Sequence, residues 1–407
     1  MAAINVKSEI MPLKKVMLHR PGDELLNLTP DTLEQLLFDD IPFLEVAQQE
    51  HDAFADILRG EGVEVLYLED LMAEVLESDP DLREQFVDQI ILEAGVRSER
   101  YQRLIKEYLG TCCSSAKSLV LKTMAGVNRQ ELGGAPKNTL ADLIDTNTKL
   151  YLPPMPNLYF TRDPFACIGN GVSVNRMYSF TRNRETIYGD YIFKYHPTYK
   201  NTPEWYKRVY TFHIEGGDIL NINEHTLAIG ISQRTEPEAI DRIARDIFDS
   251  GQSPIDTILA FQIPKSRAFM HLDTVFTQVD YDKFTIHPAI MGPLSVFELT
   301  PAPRGEVKVV ELKDDLVNIL TKYVGHSVEL LPCGAGDRIA AEREQWNDGS
   351  NTLCIRPGTI VVYSRNNVTN DFLYKKGLNV LEMPSSELSR GRGGPRCMSM
   401  PFERADS

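Results

Sequence analysis

The spacing of apolar and polar positions predicts a strand, a helix and a second strand at the start of the chain. Residues 13–20, LKKVMLHR, are predicted to form a strand, and a Pro-Gly-Asp turn sequence follows them. Residues 43–59 repeat apolar side chains every three or four positions, which is the helical period, and two glycines end that pattern. Residues 62–71 then return to a short apolar run typical of a strand. This order predicts an α/β fold.

Between residues 71 and 148 the pattern predicts helices only. Asp79 before Pro80 is a helix cap followed by proline at the first helical position. Helical periods follow over 81–95, 98–110, 115–126 and 138–147. We therefore expect residues 71–148 to form an inserted helical bundle that covers one face of the molecule or contributes to a contact between copies. Residues 1–70 and 149–407 should form the α/β part.

The second half of the chain repeats one order of predicted elements. Three prolines between residues 153 and 156 predict a stiff, extended segment, with a strand from Asn157. Residues 219–264 and 352–384 each show a strand, a turn, a strand, a capped helix and a strand, and residues 271–288 add two strands about a turn. Such recurrence favours radial repetition around a centre over one open sheet.

Composition narrows the class of protein. A chain of 407 residues with 42% hydrophobic and 25% charged residues can build a large core and is typical of a globular protein. Neither an apolar run of about 20 residues nor a signal sequence is evident, so we expect a cytoplasmic protein with no membrane partner. A net charge of -15 argues against binding to nucleic acid. The six cysteines lack zinc-type spacing, and we expect neither a disulfide framework nor a metal.

The strongest candidate for chemistry is Cys397, in the sequence SRGRGGPRCMSMPF near the chain end. Three arginines, Arg390, Arg392 and Arg396, precede it closely, and cationic neighbours stabilise the thiolate that a nucleophile requires. Three glycines in the same stretch allow close approach to a ligand. By itself, the segment is equally compatible with a flexible tail that carries an inert thiol.

Three further stretches carry acids or a histidine. His271 and Asp273 are two positions apart in a predicted strand, which would place both on one face. Glu215 and Asp218 flank a Gly-Gly pair, and Asp163 precedes a proline. A core histidine with a satisfying aspartate, or tight turns with solvated acids, would explain each stretch separately.

Taken together, these residues favour a cationic substrate. A Cys-His peptidase has no use for several acids beside its thiol, because they disfavour the thiolate. Carboxylates can instead clamp a planar guanidinium while the thiolate attacks its central carbon. Arginines such as Arg182, Arg234 and Arg392 could hold the α-carboxylate at the other end of the substrate.

Five motifs in register, NLYFTRDPF, HIEGGD, FMHLDTVF, NDGSN and RGRGGPRCMSMP, resemble the arginine deiminase family of the guanidine-modifying superfamily. The resemblance covers essentially the whole chain. It implies a five-bladed α/β propeller, the pentein fold, built of ββαβ-like units with the active site on the central axis. It also implies hydrolysis of L-arginine to L-citrulline and ammonia through a covalent cysteine intermediate, without a cofactor. Separately, we expect a homo-oligomer.

Carried onto matching positions, the resemblance makes Cys397 the nucleophile and His271 the general acid and base. Asp163 and Asp273 would clamp the guanidinium, and Glu215 would be an additional acid beside the histidine. The positions that match residues around the amino-acid end of the substrate are Asn157, Phe160, Arg182, Arg234 and Arg392, with Asp218 as an acid behind them. An amidinotransferase or methylarginine hydrolase on the same scaffold, and a non-catalytic arginine-binding regulator, remain as alternatives.

Overall fold

The computed structural model describes residues 3–133, 140, 149–265, 269–290 and 294–406. Apart from position 140, the helix predicted over residues 138–147 lies outside the described residues. Helices and strands alternate through most of the described chain, which gives a mixed α/β fold. Within the described residues, no helix is both long and apolar enough to span a bilayer.

Short strands make up the β part of the fold. They are β1 (Leu13–Leu18), β2 (Glu64–Tyr67), β3 (Val127–Asn128), β4 (Leu150–Leu152), β5 (Phe165–Ile168), β6 (Gly171–Val174), β7 (Glu204–Tyr206), β8 (Ile219–Asn221), β9 (Thr226–Ile231), β10 (Thr257–Gln262), β11 (Phe276–Gln278), β12 (Lys283–Ile286), β13 (Val296–Ala302), β14 (Glu306–Leu312), β15 (Glu329–Pro332), β16 (Leu353–Arg356), β17 (Thr359–Tyr363), β18 (Asn379–Met383) and β19 (Met400–Arg404). Five of them, β5, β6, β8, β11 and β17, are buried along their whole length.

Helices connect these strands and cover them. They are α1 (Leu33–Leu36), α2 (Leu44–Gly60), α3 (Leu68–Ser78), α4 (Pro80–Glu93), α5 (Glu99–Cys112), α6 (Ala116–Ala125), α7 (Thr186–Tyr195), α8 (Pro237–Asp249), α9 (Leu272–Val275), α10 (Leu316–Val324), α11 (Arg338–Trp346) and α12 (Asn367–Lys375).

Five groups of three strands share one arrangement, in which a central strand pairs antiparallel on one side and parallel on the other. The groups are β19-β1-β2, β5-β6-β7, β8-β9-β10, β11-β12-β15 and β16-β17-β18. A hairpin connects the antiparallel pairs of consecutive strands, whereas the parallel pairs need a crossover, which α2, α7, α8, α10 and α12 provide. The hairpin of β13 and β14 extends the third group to five strands.

The segment predicted to contain helices only is helical over α3 to α6, but β3 lies within it and pairs antiparallel with β4, so the prediction of helices alone is wrong there. Helices α3 to α6 follow one another, and the side chain of Asp79 accepts a hydrogen bond from the backbone N–H of Asp81 at 2.9 Å, which confirms the predicted cap of α4. The strand predicted over 62–71 is wrong in its second half, because α3 begins at Leu68. Leu68, Leu71 and Met72 are buried at helical spacing, and their burial outweighs the local strand preference.

Two predictions near the site are wrong. The segment at Asn157 is a 3-10 turn over Pro156–Tyr159 rather than the start of a strand, which begins only at Phe165. His271 and Asp273 do not share a strand, because α9 is a single helical turn that begins directly after His271. A carboxylate oxygen of Asp218, distant in sequence, accepts the backbone N–H of Leu272 at 2.8 Å and holds this turn.

The two chain ends meet, and this positions the candidate nucleophile. Strand β19 pairs antiparallel with β1, so the segment that carries Cys397 is fixed three residues before a buried strand of the first group. The expectation of a flexible tail is therefore excluded. The same strand pairing brings Glu9, near the other end of the chain, within 3.0 Å of the Arg396 guanidinium.

Candidate active site

A cavity of about 540 Å³ collects most of the residues that the sequence singled out. It is lined by eight of them and by eight others. The expected residues are Asn157, Phe160, Asp163, Arg182, Arg234, His271, Arg392 and Cys397, and the others are Glu34, Leu37, Tyr178, Gln233, Lys265, Met270, Thr274 and Gly391. Asp273 lies directly beside the thiol of Cys397, and Glu215 lies behind the imidazole of His271.

Cys397 is held rigidly at the cavity. Its backbone N–H donates to Oδ1 of Asn351 at 3.1 Å, and its Sγ lies 3.6 Å from Oδ2 of Asp273. Burial raises the pKa of the Cys397 thiol well above its ordinary value, and the carboxylates of Asp273 and Asp163 raise it further against a smaller opposing effect of Arg396. Without a cation in the cavity, the thiol form is therefore favoured.

The expectation that three arginines surround the thiol is wrong. Arg390 is ion-paired with Asp40 on the surface. The guanidinium of Arg392 lies 3.5 Å from the centre of the Trp346 ring, and Arg392 lines the cavity. Arg396 is buried and close, but it holds an acid rather than the sulfur. These three arginines are close in sequence, but their guanidinium groups lie apart because each one contacts a different partner.

His271 is placed and charged by acids on both sides of its ring. Its Nε2 lies 2.8 Å from Oε2 of Glu215, and its Nδ1 lies 3.7 Å from Oδ1 of Asp163. Burial lowers the pKa of His271, but Asp163, Glu215 and Asp218 outweigh that effect and raise it to about 9. The imidazole is therefore protonated at neutral pH and can act first as an acid.

The carboxylates of Asp163 and Asp273 have the same pattern of hydrogen bonds. Each carboxylate gives one oxygen to a buried arginine: Arg182 donates to Oδ2 of Asp163 at 2.9 Å, and Arg396 donates to Oδ2 of Asp273 at 2.7 Å. Among the residues that the structure describes, Oδ1 of both aspartates lacks a hydrogen-bond donor. An unsatisfied buried carboxylate oxygen costs free energy, and a bound cation with N–H donors would remove that cost.

The Gly-Gly pair between Glu215 and Asp218 allows this close packing. A Cβ on Gly217 would lie 2.5 Å from Nδ1 of His271 and 3.0 Å from Oδ1 of Asp163, so only glycine fits. Asp218 does not line the cavity: its carboxylate accepts bonds from Ser232 and Thr235 at 2.7 and 2.6 Å and from the backbone of α9. It therefore positions the segment after His271.

The remaining expected residues surround the outer part of the cavity. Arg182 binds Glu185 as well as Asp163, whereas Nε and Nη1 of Arg234 lack a hydrogen-bond partner within the described part of the chain. The side-chain amide of Asn157 donates to the backbone oxygen of Leu36 at 2.7 Å. This bond connects the 3-10 turn that contains Asn157 to the end of α1. Phe160 packs against Tyr159 with ring centres 4.0 Å apart.

Three supporting residues were not assigned a role from the sequence. Asn351 bridges the backbone N–H of Cys397 and the backbone oxygen of Asp273, and it ends the NDGSN motif, so that motif carried a signal. Glu9 binds Arg396 with both carboxylate oxygens at 3.0 and 3.1 Å. Glu185 does the same for Arg182. Nothing in the local sequence around Glu9 indicates this pairing.

One group of described side chains has the geometry for a metal ion, namely Asp163, Glu215 and His271, whose ligand atoms lie within 4.8 Å of one another. Arg182 at 2.9 Å from Asp163 and Arg234 at 3.5 Å from Glu215 already supply positive charge to this group. A further inorganic cation would be repelled by both.

Comparisons with known proteins find one family over nearly the whole chain. A family model described as arginine deiminase matches residues 34–404. The arginine deiminase of Treponema denticola is 62% identical over 409 residues and covers 100% of both chains. That of Clostridium perfringens is 55% identical over 408 residues and covers 99% of this chain and 98% of its own.

A solved structure is similar in fold at much lower identity. An amidinotransferase of the saxitoxin biosynthetic pathway from Microseira wollei aligns with a TM-score of 0.57 at 14% identity, covering 100% of this chain and 98% of its own. At this identity the likeness supports the α/β architecture alone.

Proposed function

This chain belongs to the arginine deiminase family and hydrolyses L-arginine to L-citrulline and ammonia, and from that premise we propose that Cys397 forms a covalent intermediate with the substrate. The observation that carries the proposal is a pair of aspartates, each with one oxygen that lacks a hydrogen-bond donor among the described residues, beside one thiol and one protonated histidine. The steps below use groups of the chain, arginine and water.

Substrate binding sets the charge of the nucleophile. The guanidinium would lie between Oδ1 of Asp163 and Oδ1 of Asp273, which are kept free while Arg182 and Arg396 hold the other oxygens. Its positive charge offsets the two carboxylates that raise the pKa of Cys397. The thiol then loses its proton to solvent, and the thiolate forms within reach of the guanidinium carbon.

The first half of the reaction makes the intermediate. The thiolate attacks the guanidinium carbon, a C–S bond forms and one C=N electron pair moves onto nitrogen. Protonated His271 gives its Nδ1 proton to the departing nitrogen, the C–N bond breaks and ammonia leaves. We assign Nδ1 to this role because Nε2 is anchored on Glu215 at 2.8 Å while Nδ1 faces Asp163.

The second half uses the same imidazole as a base. Neutral His271 takes one proton from water as the water oxygen attacks the same carbon. Collapse of that adduct breaks the C–S bond and forms the C=O bond of citrulline, and the hydroxyl proton passes to the departing sulfur, which restores the Cys397 thiol. We propose that Arg234 and Arg392, together with Arg182, hold the α-carboxylate. Nε and Nη1 of Arg234 lack a hydrogen-bond partner among the described residues, and all three arginines line the cavity.

Product analysis in oxygen-18 water tests this reading against an amidinotransferase on the same scaffold. We expect label in the ureido oxygen of citrulline, and no diversion of product by added glycine or ornithine, because a second amino acid would need its own pocket while the first stays bound. Guanidinoacetate formed from added glycine would contradict the hydrolytic second step. An arginine-binding regulator would release no citrulline.

We further propose that the five groups of three strands are blades of a five-bladed propeller, with residues 1–70 and 149–407 as its catalytic part and 71–148 as an insertion. The common pattern of one antiparallel and one parallel pairing in each group supports this. A homo-oligomer and a cytoplasmic location also remain proposals. Strand β14, which pairs with β13 alone among the described strands, offers an edge for a contact between copies.

A further inference from the structure

Arg162 is a buried arginine directly before Asp163 in the NLYFTRDPF motif, and it is not among the described residues that line the active-site cavity. Burial and the nearby Arg396 guanidinium lower the pKa of Arg162 to about 9, so a charge is unfavourable at this place. The closest acids that favour its charge, Glu9 and Asp273, are both hydrogen-bonded to Arg396. Ion pairing therefore does not explain why an arginine stands at position 162.

Two hydrogen bonds join Arg162 to the backbone of the segment that carries the nucleophile. The backbone N–H of Arg162 donates to the carbonyl oxygen of Cys397 at 3.1 Å. The side-chain Nε of Arg162 donates to the carbonyl oxygen of Arg396 at 3.3 Å. Among the residues that the structure describes, Nη2 of the same guanidinium lacks a hydrogen-bond partner. The contact that distinguishes this side chain is therefore the one made by Nε.

These bonds restrict the direction in which the Cys397 side chain points. The carbonyls of Arg396 and Cys397 belong to the two peptide groups on either side of the Cys397 Cα atom. Asn351 accepts the backbone N–H of the first of these peptide groups at 3.1 Å. Because each peptide group is planar, holding both of them restricts φ and ψ of Cys397 and therefore the position of its sulfur.

The same stretch of backbone carries Asp163 and is itself fixed. The carbonyl oxygen of Asp163 accepts the backbone N–H of Gly216 at 3.1 Å. The carbonyl oxygen of Arg162 is so close that a Cβ on Gly216 would lie 2.0 Å from it. One residue thus holds the nucleophile while the next supplies a carboxylate of the clamp. Their spacing matters because attack requires reacting atoms about 3–3.5 Å apart.

We propose that Arg162 is a positioning residue for the reaction, and that its Nε–H donor fixes the Cys397 segment so that the sulfur faces the guanidinium carbon. This role depends on the proposed covalent function of Cys397. It requires an N–H donor at the position of Nε, and it does not require the positive charge of the guanidinium.

Three substitutions at position 162 separate the donor from the charge. Glutamine has its Nε2 the same number of bonds from Cα as Nε of arginine, so Arg162→Gln keeps a donor and removes the charge. Arg162→Met is also uncharged but places a methyl group at that position. Arg162→Lys keeps a cation but places a methylene group there, with the nitrogen one bond further out.

The main measurement is the rate at which saturating arginine forms an adduct on Cys397, per folded molecule, by rapid quench and intact mass analysis. Arg162→Gln should retain this rate within about threefold, whereas Arg162→Met and Arg162→Lys should lose about tenfold or more, because misplaced reacting atoms slow a step without weakening binding. The Kd for arginine, measured in a Cys397→Ser background, should change by less than about threefold in each variant, because the clamp oxygens are untouched. Alkylation of Cys397 across pH should be the same in Arg162→Gln and Arg162→Met, because both remove the same charge.

Arg184 provides a matched control. It is also a buried arginine that donates to a backbone oxygen, that of Pro153 at 2.9 Å, and its Nη1 lacks a hydrogen-bond partner within the described part of the chain. Arg184→Met should leave the rate of adduct formation per folded molecule within about twofold of wild type. An equal loss in Arg184→Met would show a general effect of removing a buried arginine and would overturn the proposal.

Other results would also overturn it. Equal rates in Arg162→Gln and Arg162→Met would show that the donor is not used, and a rate in Arg162→Lys at or above that of Arg162→Gln would assign the effect to charge. This second comparison decides the matter if Arg162→Met fails to fold. A loss of arginine affinity as large as the loss of rate would indicate a damaged clamp, and different alkylation profiles in Arg162→Gln and Arg162→Met would indicate altered ionisation of the thiol.

The wild type separates failure of this role from failure of the proposed function. If wild-type protein forms the adduct on Cys397 while the variants behave as in any of these contrary results, the positioning role alone is refuted. If wild-type protein forms no adduct on Cys397, the covalent function is refuted and the role of Arg162 with it.

Discussion

Replacing Asp273 with asparagine should make the Cys397 thiol more reactive and should slow the formation of citrulline. Oδ2 of Asp273 lies 3.6 Å from the Cys397 sulfur and accepts a bond from Arg396 at 2.7 Å. Asparagine keeps the shape and an oxygen acceptor for Arg396 but removes the charge. Arg396 retains both oxygens of Glu9 and the backbone oxygen of Ile219, so the folded state should lose less than the about 3–5 kcal/mol typical of a broken buried ion pair.

The two expected effects follow from one lost charge. After burial, Asp273 is the largest contributor that raises the pKa of Cys397, so Asp273→Asn should lower this pKa and make the free thiol more reactive at a given pH. The guanidinium meanwhile loses a charged hydrogen-bond partner, worth about 1.5–3 kcal/mol, which corresponds to roughly a 10- to 150-fold loss in kcat/KM.

Two assays read these effects separately. The rate at which iodoacetamide alkylates Cys397, measured by mass spectrometry across pH, reports the thiol, and citrulline formation reports turnover. Asp348→Asn is the matched control, because Asp348 also raises the pKa of Cys397 but is not part of the proposed clamp. It should increase alkylation with a smaller loss in kcat/KM. An Asp273→Asn alkylation profile that stays in place or moves to higher pH would refute the charge argument, and kcat/KM within about twofold of wild type would refute the clamp.

Three further outcomes are expected. Cys397→Ser should bind arginine but form no citrulline, and intact mass analysis of quenched wild type should show an arginine-derived adduct on Cys397; an adduct on another cysteine would contradict the assignment. Because the pKa of His271 is raised to about 9 and its acid form is needed first, kcat/KM should fall as pH rises through about 9, and Glu215→Gln should move this decline to lower pH; an unmoved decline would assign it to another group. Arg396 lowers the pKa of Glu9 to about 2 against the effect of burial, so Glu9 stabilises the fold above pH 4.5 and this stabilisation is lost as pH falls through 2. Glu9→Gln should therefore reduce the free energy of unfolding at pH 7 by about 3 kcal/mol, with a smaller difference from wild type in acid, as measured by denaturant titration.

The sequence by itself determined many of the local elements and the choice of the residues proposed to react. Strand β1, helix α2 and the capped helix α4 follow from apolar spacing and from Asp79 and Pro80, because these signals act over one or two turns of chain. The five motifs in register singled out Cys397, His271 and the acids as candidates, and the structure brings the thiol, the imidazole, Asp163 and Asp273 together.

Only the tertiary structure decided how these groups are charged and held. The arginines next to Cys397 suggested a ready thiolate, but Arg390 and Arg392 turn to other partners, and Arg396 is committed to Glu9 and Asp273. The single turn α9 replaces a predicted strand because Asp218, 54 positions away, accepts its first free N–H. Glu9 and Arg396 are 387 positions apart. Local patterns cannot reveal such contacts, because the pKa of a buried group and the conformation of a short turn depend on whichever charges and donors the folded chain brings within a few ångströms.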